Sequence, residues 1–323
     1  MLSLVYILAC SHSGSTLLAM LLGAHPDLGT VGELKLTSLG NPDRYRCSCG
    51  QSIRQCPFWL RVAQAMSARG IPFDIGDAGT SIAATRHAYL RLLLRPLIRG
   101  PVLEAVRDAG LALSPAWRKH FVATQERNQA LIEVLRQLTG ARIIVDSSKT
   151  GLRLKYLLRN PALDVRVLRL IRDGRAVALS GLDTPNFADA ADPRLRFGGF
   201  GERRGRTRYS LAQAAQVWRR SNEEAEHLLQ GLDPARWLQV RYEHLCRDPV
   251  EELARICRFL DLDAAKLRLD FRAAEQHVVG NGMRLDSTSQ ISLDERWRHH
   301  LAARDLRLFD RVAGDLNRAY GYS

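Results

Sequence analysis

The sequence predicts an α/β protein, a three-layer α/β/α arrangement around a central, mainly parallel sheet with a helical insertion. Two strand–turn–helix units and one helical block predict it. Leu4 to Ala9 is an apolar run that breaks at Cys10-Ser11-His12-Ser13-Gly14-Ser15-Thr16 and continues with helical spacing from Leu17 to Gly23. Val165 to Ile171 is a second apolar strand, followed by Arg172-Asp173-Gly174-Arg175 and a helical Ala176 to Leu182. Between these units, residues 60–139 read as largely helical. Near-continuous apolar strands suit a parallel sheet covered on both faces, and alternating strands and helices wind such a sheet.

The first turn has the chemistry of an anion cradle. Free N–H groups at a helix start point at a ligand, and the helix dipole adds favourable partial charge. Gly14 lets the backbone approach a phosphate. The frame Ala9-x-x-x-x-Gly14-Ser15-Thr16 is P-loop-like but lacks the first Gly and the Lys of a nucleotide triphosphatase loop. No strand ends in a convincing metal-binding Asp of the ATPase kind. A capped strand-to-helix turn with no ligand is the bland alternative.

With the second unit, the turn resembles the sulfotransferases that use 3′-phosphoadenosine 5′-phosphosulfate (PAPS). In that family the first turn holds the 5′-phosphosulfate, and a later Arg, with a Ser eight residues on, holds the 3′-phosphate. Arg172 and Ser180 stand at that spacing. Ala24-His25-Pro26-Asp27 with Gly32-Glu33, and the strand Arg142 to Val145 ending in Asp146-Ser147-Ser148-Lys149, resemble the branch that includes the tyrosylprotein sulfotransferases and bacterial relatives. The resemblance spans roughly residues 3–37, 140–182 and 236–300.

It implies Glu33 as general base, with Lys149 and His12 at the sulfonate and bridging oxygen. It also implies a cofactor site of Ser11, His12, Ser13, Gly14, Ser15, Thr16, Arg172, Ser180 and Tyr242, with Asn281 and Arg284 from a glycine-containing loop near the C-terminus. His12 departs from the family pattern, where Arg or Lys is usual. A neutral imidazole donates one hydrogen bond and carries no fixed charge. No metal is required, because Arg and Lys neutralise the donor. The product nucleotide is 3′,5′-adenosine bisphosphate, and the acceptor is a hydroxyl on a small molecule, lipid, sugar or peptide. A kinase-like nucleotide enzyme and a non-catalytic nucleotide-binding module are the rival classes. Against the first stand Ser15 in place of Lys and the Arg172/Ser180 pair; against the second, Glu33 and Lys149.

The remaining elements follow in order. One sulfotransferase domain is expected over 1–323, with an insertion at about 38–139. A cysteine loop occupies 38–59, and a helix from Pro115 to Leu138 has 3.6-residue periodicity at Phe121, Leu131, Val134, Leu135 and Leu138. Tyr89 to Arg99 is apolar and basic together. It could lie on an anionic membrane, but an internal helix with snorkelling arginines is the favoured reading. An Arg-rich loop, a lid or clamp or a plain solvated surface, covers about 183–208. A helix from Leu211 to Gln230, a strand from Trp237 to Arg241, a helix from Pro249 to Leu260 and a last helix from Leu301 to Ala319 complete the chain.

Composition bounds the function. The 323-residue chain has a net charge of +13, which suits anionic ligands. No recognition-helix motif, zinc-finger spacing or aromatic-interleaved basic stripe points to nucleic acid. No apolar run reaches the ~18 residues a membrane span needs. Ile7-Leu8-Ala9-Cys10 looks like a lipoprotein box, but no basic residue precedes it, so it reads as the first strand and the expected location is cytoplasmic. Of six cysteines, Cys47, Cys49 and Cys56 cluster. The cluster suggests metal or redox chemistry, but a fourth zinc ligand is not evident nearby. A structural loop, disulfide-linked or plainly packed, is expected.

Overall fold

The computed structural model describes residues 1–37, 39–94, 101–182 and 209–322. The Arg-rich loop expected at 183–208 and the end of the apolar, basic segment at 95–99 lie outside the described residues.

Five strands form one parallel sheet: β1 (Leu2–Ala9), β2 (Leu28–Thr30), β3 (Ile143–Lys149), β4 (Leu163–Ile171) and β5 (Trp237–Arg241). Their spatial order is β2-β3-β1-β4-β5, with every neighbouring pair parallel. The chain first winds to one side of β1 and then to the other. Such a switch of direction opens a crevice at the C-terminal strand ends.

Alternation along β1 builds two cores. Leu4, Tyr6 and Leu8 face one apolar cluster, and Val5, Ile7 and Ala9 face the other. Both faces are therefore dry, which is why β1 reads as a continuous apolar run. Each buried Leu, Val or Ile among them contributes about 1.5–3 kcal/mol. The helix α1 (Ser15–Leu22) is buried at every position on the second face.

The insertion supplies α2 (Pro57–Ser67), α3 (Ala88–Leu93), α4 (Pro101–Leu113) and α5 (Pro115–Thr139). Residues 68–87 carry no helix, a longer break than the expected turn at Gly70-Ile71-Pro72. Ser114 caps α5 by accepting the Trp117 N–H at 3.2 Å. In α3, Leu90 packs with Trp117 in a small core while Tyr89 and Leu92 are exposed, the internal-helix arrangement. After β3 come α6 (Gly151–Leu157) and, after β4, α7 (Gly174–Leu182).

The helix α8 (Leu211–Gln230) begins with a capping box between Ser210 and Gln213. It buries Leu211, Ala214, Ala215, Trp218, Asn222, Ala225 and Leu229 in one stripe. Two helices follow β5: α9 (Tyr242–Arg247) and α10 (Pro249–Leu260), the latter with Pro at its first turn.

The last segment differs from the single helix expected at 301–319. It forms α11 (Trp297–His300), α12 (Ala303–Phe309), a π turn over Asp310–Gly314 and α13 (Asp315–Ala319). The helix widens where Arg219 of α8 takes the Val312 carbonyl at 2.9 Å. Short edge strand β2 carried no sequence signal, being three residues long.

The segment after β2 is held by the C-terminal region. Val279 donates its N–H to Val31 at 2.8 Å and accepts from Glu33 at 3.0 Å. Gly32 sits between them at φ 78°, and a Cβ there would come within 2.0 Å of the Val279 oxygen. Gly32→Ala is therefore expected to cost about 3 kcal/mol, measured by urea denaturation. An unchanged midpoint refutes this account of the join.

Candidate functional site

The C-terminal strand ends carry the expected site residues. After β1, His12 takes a left-handed φ of 66° and Gly14 one of 89°. Gly14 occupies the cap position of α1, and no side chain caps the helix. The leading amides of α1 are thus the orphan donors every helix start presents. A Cβ on Gly14 would lie 2.4 Å from the Tyr242 ring. Only glycine lets the turn pass beneath that ring. Ser13, Ser15 and Thr16 are buried; Ser11 is exposed and His12 half-buried.

Arg172 leaves the end of β4 and crosses to this turn. Its guanidinium lies 4.3 Å from the Tyr242 ring centroid, a cation–π contact. Nη1 donates to the His12 carbonyl at 2.8 Å, and Nη2 to the Asp294 carbonyl and Oδ2, each at 3.0 Å. Its Nε is buried with no hydrogen-bond partner, a donor that calls for an acceptor. Trp218 fixes the backbone by donating Nε1–H to the Arg172 carbonyl at 3.2 Å. Ser180, on α7, is buried and its hydroxyl donates back to the Ala176 carbonyl at 3.0 Å.

At the neighbouring strand end, Lys149 donates Nζ–H to Glu33 Oε1. Lys35 lies 3.4 Å from Glu33 Oε2. Glu33 is 5% exposed. For Lys35 itself, burial lowers the ammonium pKa most strongly, the Glu33 charge opposes that, and Lys149 adds to it.

This pair is built by a backbone irregularity. The pairing of β1 with β3 shifts between Tyr6 and Leu8, and Lys149 has a left-handed φ of 73°. For a lysine that conformation is strained by about 1–3 kcal/mol, which surrounding contacts must offset. Asp146 supplies them. Its Oδ1 accepts from Leu34 N at 3.2 Å, Ser148 N at 2.8 Å and Ser148 Oγ at 2.5 Å. Its Oδ2 accepts from Arg153 Nε at 2.8 Å. The Arg153 guanidinium also donates to the Thr80 carbonyl and to Asn128 Oδ1, each at 2.7 Å.

The C-terminal loop packs against the phosphate turn. Asn281 N donates to Thr16 Oγ1 at 3.2 Å. Arg284 is buried against the Tyr45 ring and donates to the Gly280 and Arg46 carbonyls. These contacts give Arg284 the geometry of a brace for the loop.

The structure therefore gathers His12, Ser13, Gly14, Arg172 and Tyr242 at one turn, and Glu33 with Lys149 at the next strand end. Sequence reasoning missed Lys35, Asp146, Arg153 and Asp294. Lys35 carried a signal, standing two residues after Glu33 on the same segment. Asp294 lies 122 residues from Arg172 in sequence and carried none. Of the readings left open for the cysteine loop, the disulfide is not formed: all six cysteines are free. His277, remote in sequence, stands beside the three clustered cysteines.

Two outcomes follow. Asp146→Ala leaves the Arg153 charge buried without its partner, an expected loss of about 3–5 kcal/mol by chemical denaturation. A loss below 1 kcal/mol would remove Asp146 from this role. For Asp294, burial raises the carboxyl pKa, but the Arg296 hydrogen bond and the Arg172 charge outweigh it and hold it below the usual range. A carboxylate so depressed stabilises the fold above its unfolded value of about 3.9 and loses that contribution as pH falls toward its folded value. Asp294→Asn should therefore be most destabilised relative to wild type near neutrality, with the gap closing below about pH 4. A gap independent of pH contradicts the pairing.

Comparison with known proteins matches residues 5–266 to the model of the "Sulfotransferase family". Carbohydrate sulfotransferase 5 of Mus musculus is 29% identical over 185 residues, 51% of this chain and 44% of that protein. Carbohydrate sulfotransferase 2 of Homo sapiens is 34% identical over 131 residues, 33% of this chain and 24% of that protein. The matches thus span less than half the length of these curated relatives. Among solved structures, the sulfotransferase domain from the Synechococcus PCC 7002 olefin synthase aligns over 99% of this chain and 95% of its own, at 20% identity and a TM-score of 0.48. The family model takes in the phosphate turn, Glu33, Lys149, Arg172 and Tyr242 together, and the chain belongs to the sulfotransferase family.

Proposed function

We propose that the chain transfers a sulfuryl group from PAPS to an acceptor hydroxyl, with Glu33 as general base. The observation that carries this reading is the buried Glu33–Lys149 pair one strand away from the phosphate turn. The residues fit a doubly phosphorylated nucleotide. The glycine turn leaves room for backbone approach, and the orphaned Arg172 Nε is a donor for a phosphate oxygen.

Bound there, PAPS supplies the sulfuryl group. The amides and hydroxyls of Ser13 to Thr16 hold its 5′-phosphate, and Arg172 with Ser180 its 3′-phosphate. Asn281 and Arg284 contribute through the loop that closes on Thr16. Glu33 takes the proton from the acceptor hydroxyl. Lys149, released from Glu33 as the carboxylate becomes neutral, stabilises charge on the bridging oxygen, with His12 donating to the sulfonate. In-line geometry comes from holding donor and acceptor across the crevice. No metal takes part in this step.

The matched relatives act on carbohydrates by their names. A sugar hydroxyl is accordingly the first acceptor to offer, before lipid, peptide and small-molecule hydroxyls. No described helix is long and apolar enough to cross a membrane.

Thermal denaturation with 3′,5′-adenosine bisphosphate, against ATP with magnesium, tests the nucleotide site. At ~100 times its Kd a ligand adds ~2.7 kcal/mol. The bisphosphate should stabilise the wild type, ATP–magnesium should not, and Arg172→Ala should abolish the shift. Glu33→Gln should keep the shift and lower kcat by about 10²–10⁴-fold. Stabilisation by ATP–magnesium alone, or a Glu33→Gln enzyme with full kcat, overturns the reading.

A further inference from the structure

The clustered cysteines face a fourth ligand that the sequence hides. Cys47, Cys49, Cys56 and His277 place one ligand atom each within 4.8 Å of one another. Cys49 Sγ and Cys56 Sγ are 3.7 Å apart. His277 Nδ1 lies 3.7 Å from Cys47 Sγ and 3.3 Å from Cys56 Sγ. Disulfide sulfurs stand about 2.05 Å apart, so these spacings are not those of a bonded pair. They are those of a coordination shell. Zinc with bonds of about 2.3 Å to sulfur and about 2.0–2.1 Å to nitrogen sets tetrahedral sulfurs about 3.8 Å apart, and sulfur and nitrogen about 3.6 Å apart.

We propose that Cys47, Cys49, Cys56 and His277 bind one zinc ion in a closed, structural Cys₃His site. Four protein ligands leave no open position, so the ion does no chemistry on substrate. On binding, the three thiols each release a proton and the imidazole coordinates through Nδ1 in its neutral form. The outer contacts suit this. His277 Nε2 is 3.0 Å from Glu275 Oε1, which fixes the tautomer that leaves Nδ1 bare. The Phe58 ring stacks on His277 with centroids 4.5 Å apart, holding the imidazole plane. The cysteine backbone is already folded around the centre: Gly50 N donates to the Cys47 carbonyl and Cys47 N to the Gln51 carbonyl, each at 2.9 Å.

The ion would tie two distant segments. The cysteine loop belongs to the insertion, and His277 precedes by two residues the Val279 that pairs with Glu33 and Val31. Ser48 already bridges the same segments, donating to the Gln276 carbonyl at 2.6 Å and accepting from Val278 N at 2.7 Å. Zinc would lock that junction and so hold the strip of backbone behind Glu33. The proposal is independent of the sulfuryl-transfer reading, because its readouts are metal content and metal spectra.

The experiment is elemental analysis of the full chain, purified without a metal-affinity tag from medium containing zinc chloride. About one equivalent of zinc per chain is expected, with three fewer thiols reacting with a thiol reagent before chelation than after it. His277→Ala and Cys49→Ser should each lower retained zinc at least tenfold. Should either variant misfold, cobalt(II) substitution in the wild type serves instead. Intense thiolate-to-cobalt charge transfer with tetrahedral ligand-field bands is the expected spectrum. Less than a tenth of an equivalent of zinc after dialysis against zinc chloride, iron in place of zinc, or an octahedral cobalt spectrum overturns the proposal.

Discussion

A single carboxylate with no solvent exposure, Asp146, sets the geometry around Glu33 and Lys149. Its two oxygens receive four donors from three parts of the chain: the segment after β2, the end of β3 and the start of α6. A buried ion pair of this kind gains little net stability over an apolar substitute, but breaking it is costly because a charge is left stranded. Here it acts on position. The strained Lys149 and the Glu33 segment are both fastened to the same anion, so the two side chains keep their separation. Ser148 completes the link, accepting from Lys35 N at 3.0 Å.

The turn after β1 relies on a different device. Gly14, Tyr242 and Arg172 form a stack in which a missing Cβ, an aromatic face and a guanidinium succeed one another. Arg172 is held in place by carbonyls and Asp294 before any phosphate arrives. Asp294 thus serves as a neighbour that neutralises a buried cation in the free protein. Arg172 Nε has no partner, so an acceptor can be met there with the Asp294 contact to Nη2 kept.

What the sequence revealed follows the range of the physical signal. Strands β1, β4 and β5 and helices α5, α8 and α10 were legible because apolar periodicity and caps are local. The glycine turn after β1, Arg172 and Lys149 were legible because each stands at a strand end in a short, ordered pattern, and Glu33 because it follows Gly32 in another. Asp146 was visible only as a neighbour of Lys149; its partners Leu34 and Arg153 come from other elements. His277 and Asp294 had no readable signal, because their meaning arises when segments more than one hundred residues apart meet. The π turn over Asp310–Gly314 was hidden too, since the Arg219 that takes its Val312 carbonyl belongs to α8, 93 residues away.

The pairing of Val279 with Val31 and Glu33 also bears on the order of assembly. The backbone that backs Glu33 is made nearly 250 residues after it. Contacts of such separation are slow to form and cannot form on an incomplete chain. The growing polypeptide can wind its central strands while the edge beside β2 stays open. The backbone behind Glu33 is then completed as a late closing step, and a chain truncated before Val279 would carry the segments around Gly14, Glu33, Lys149 and Arg172 without that support.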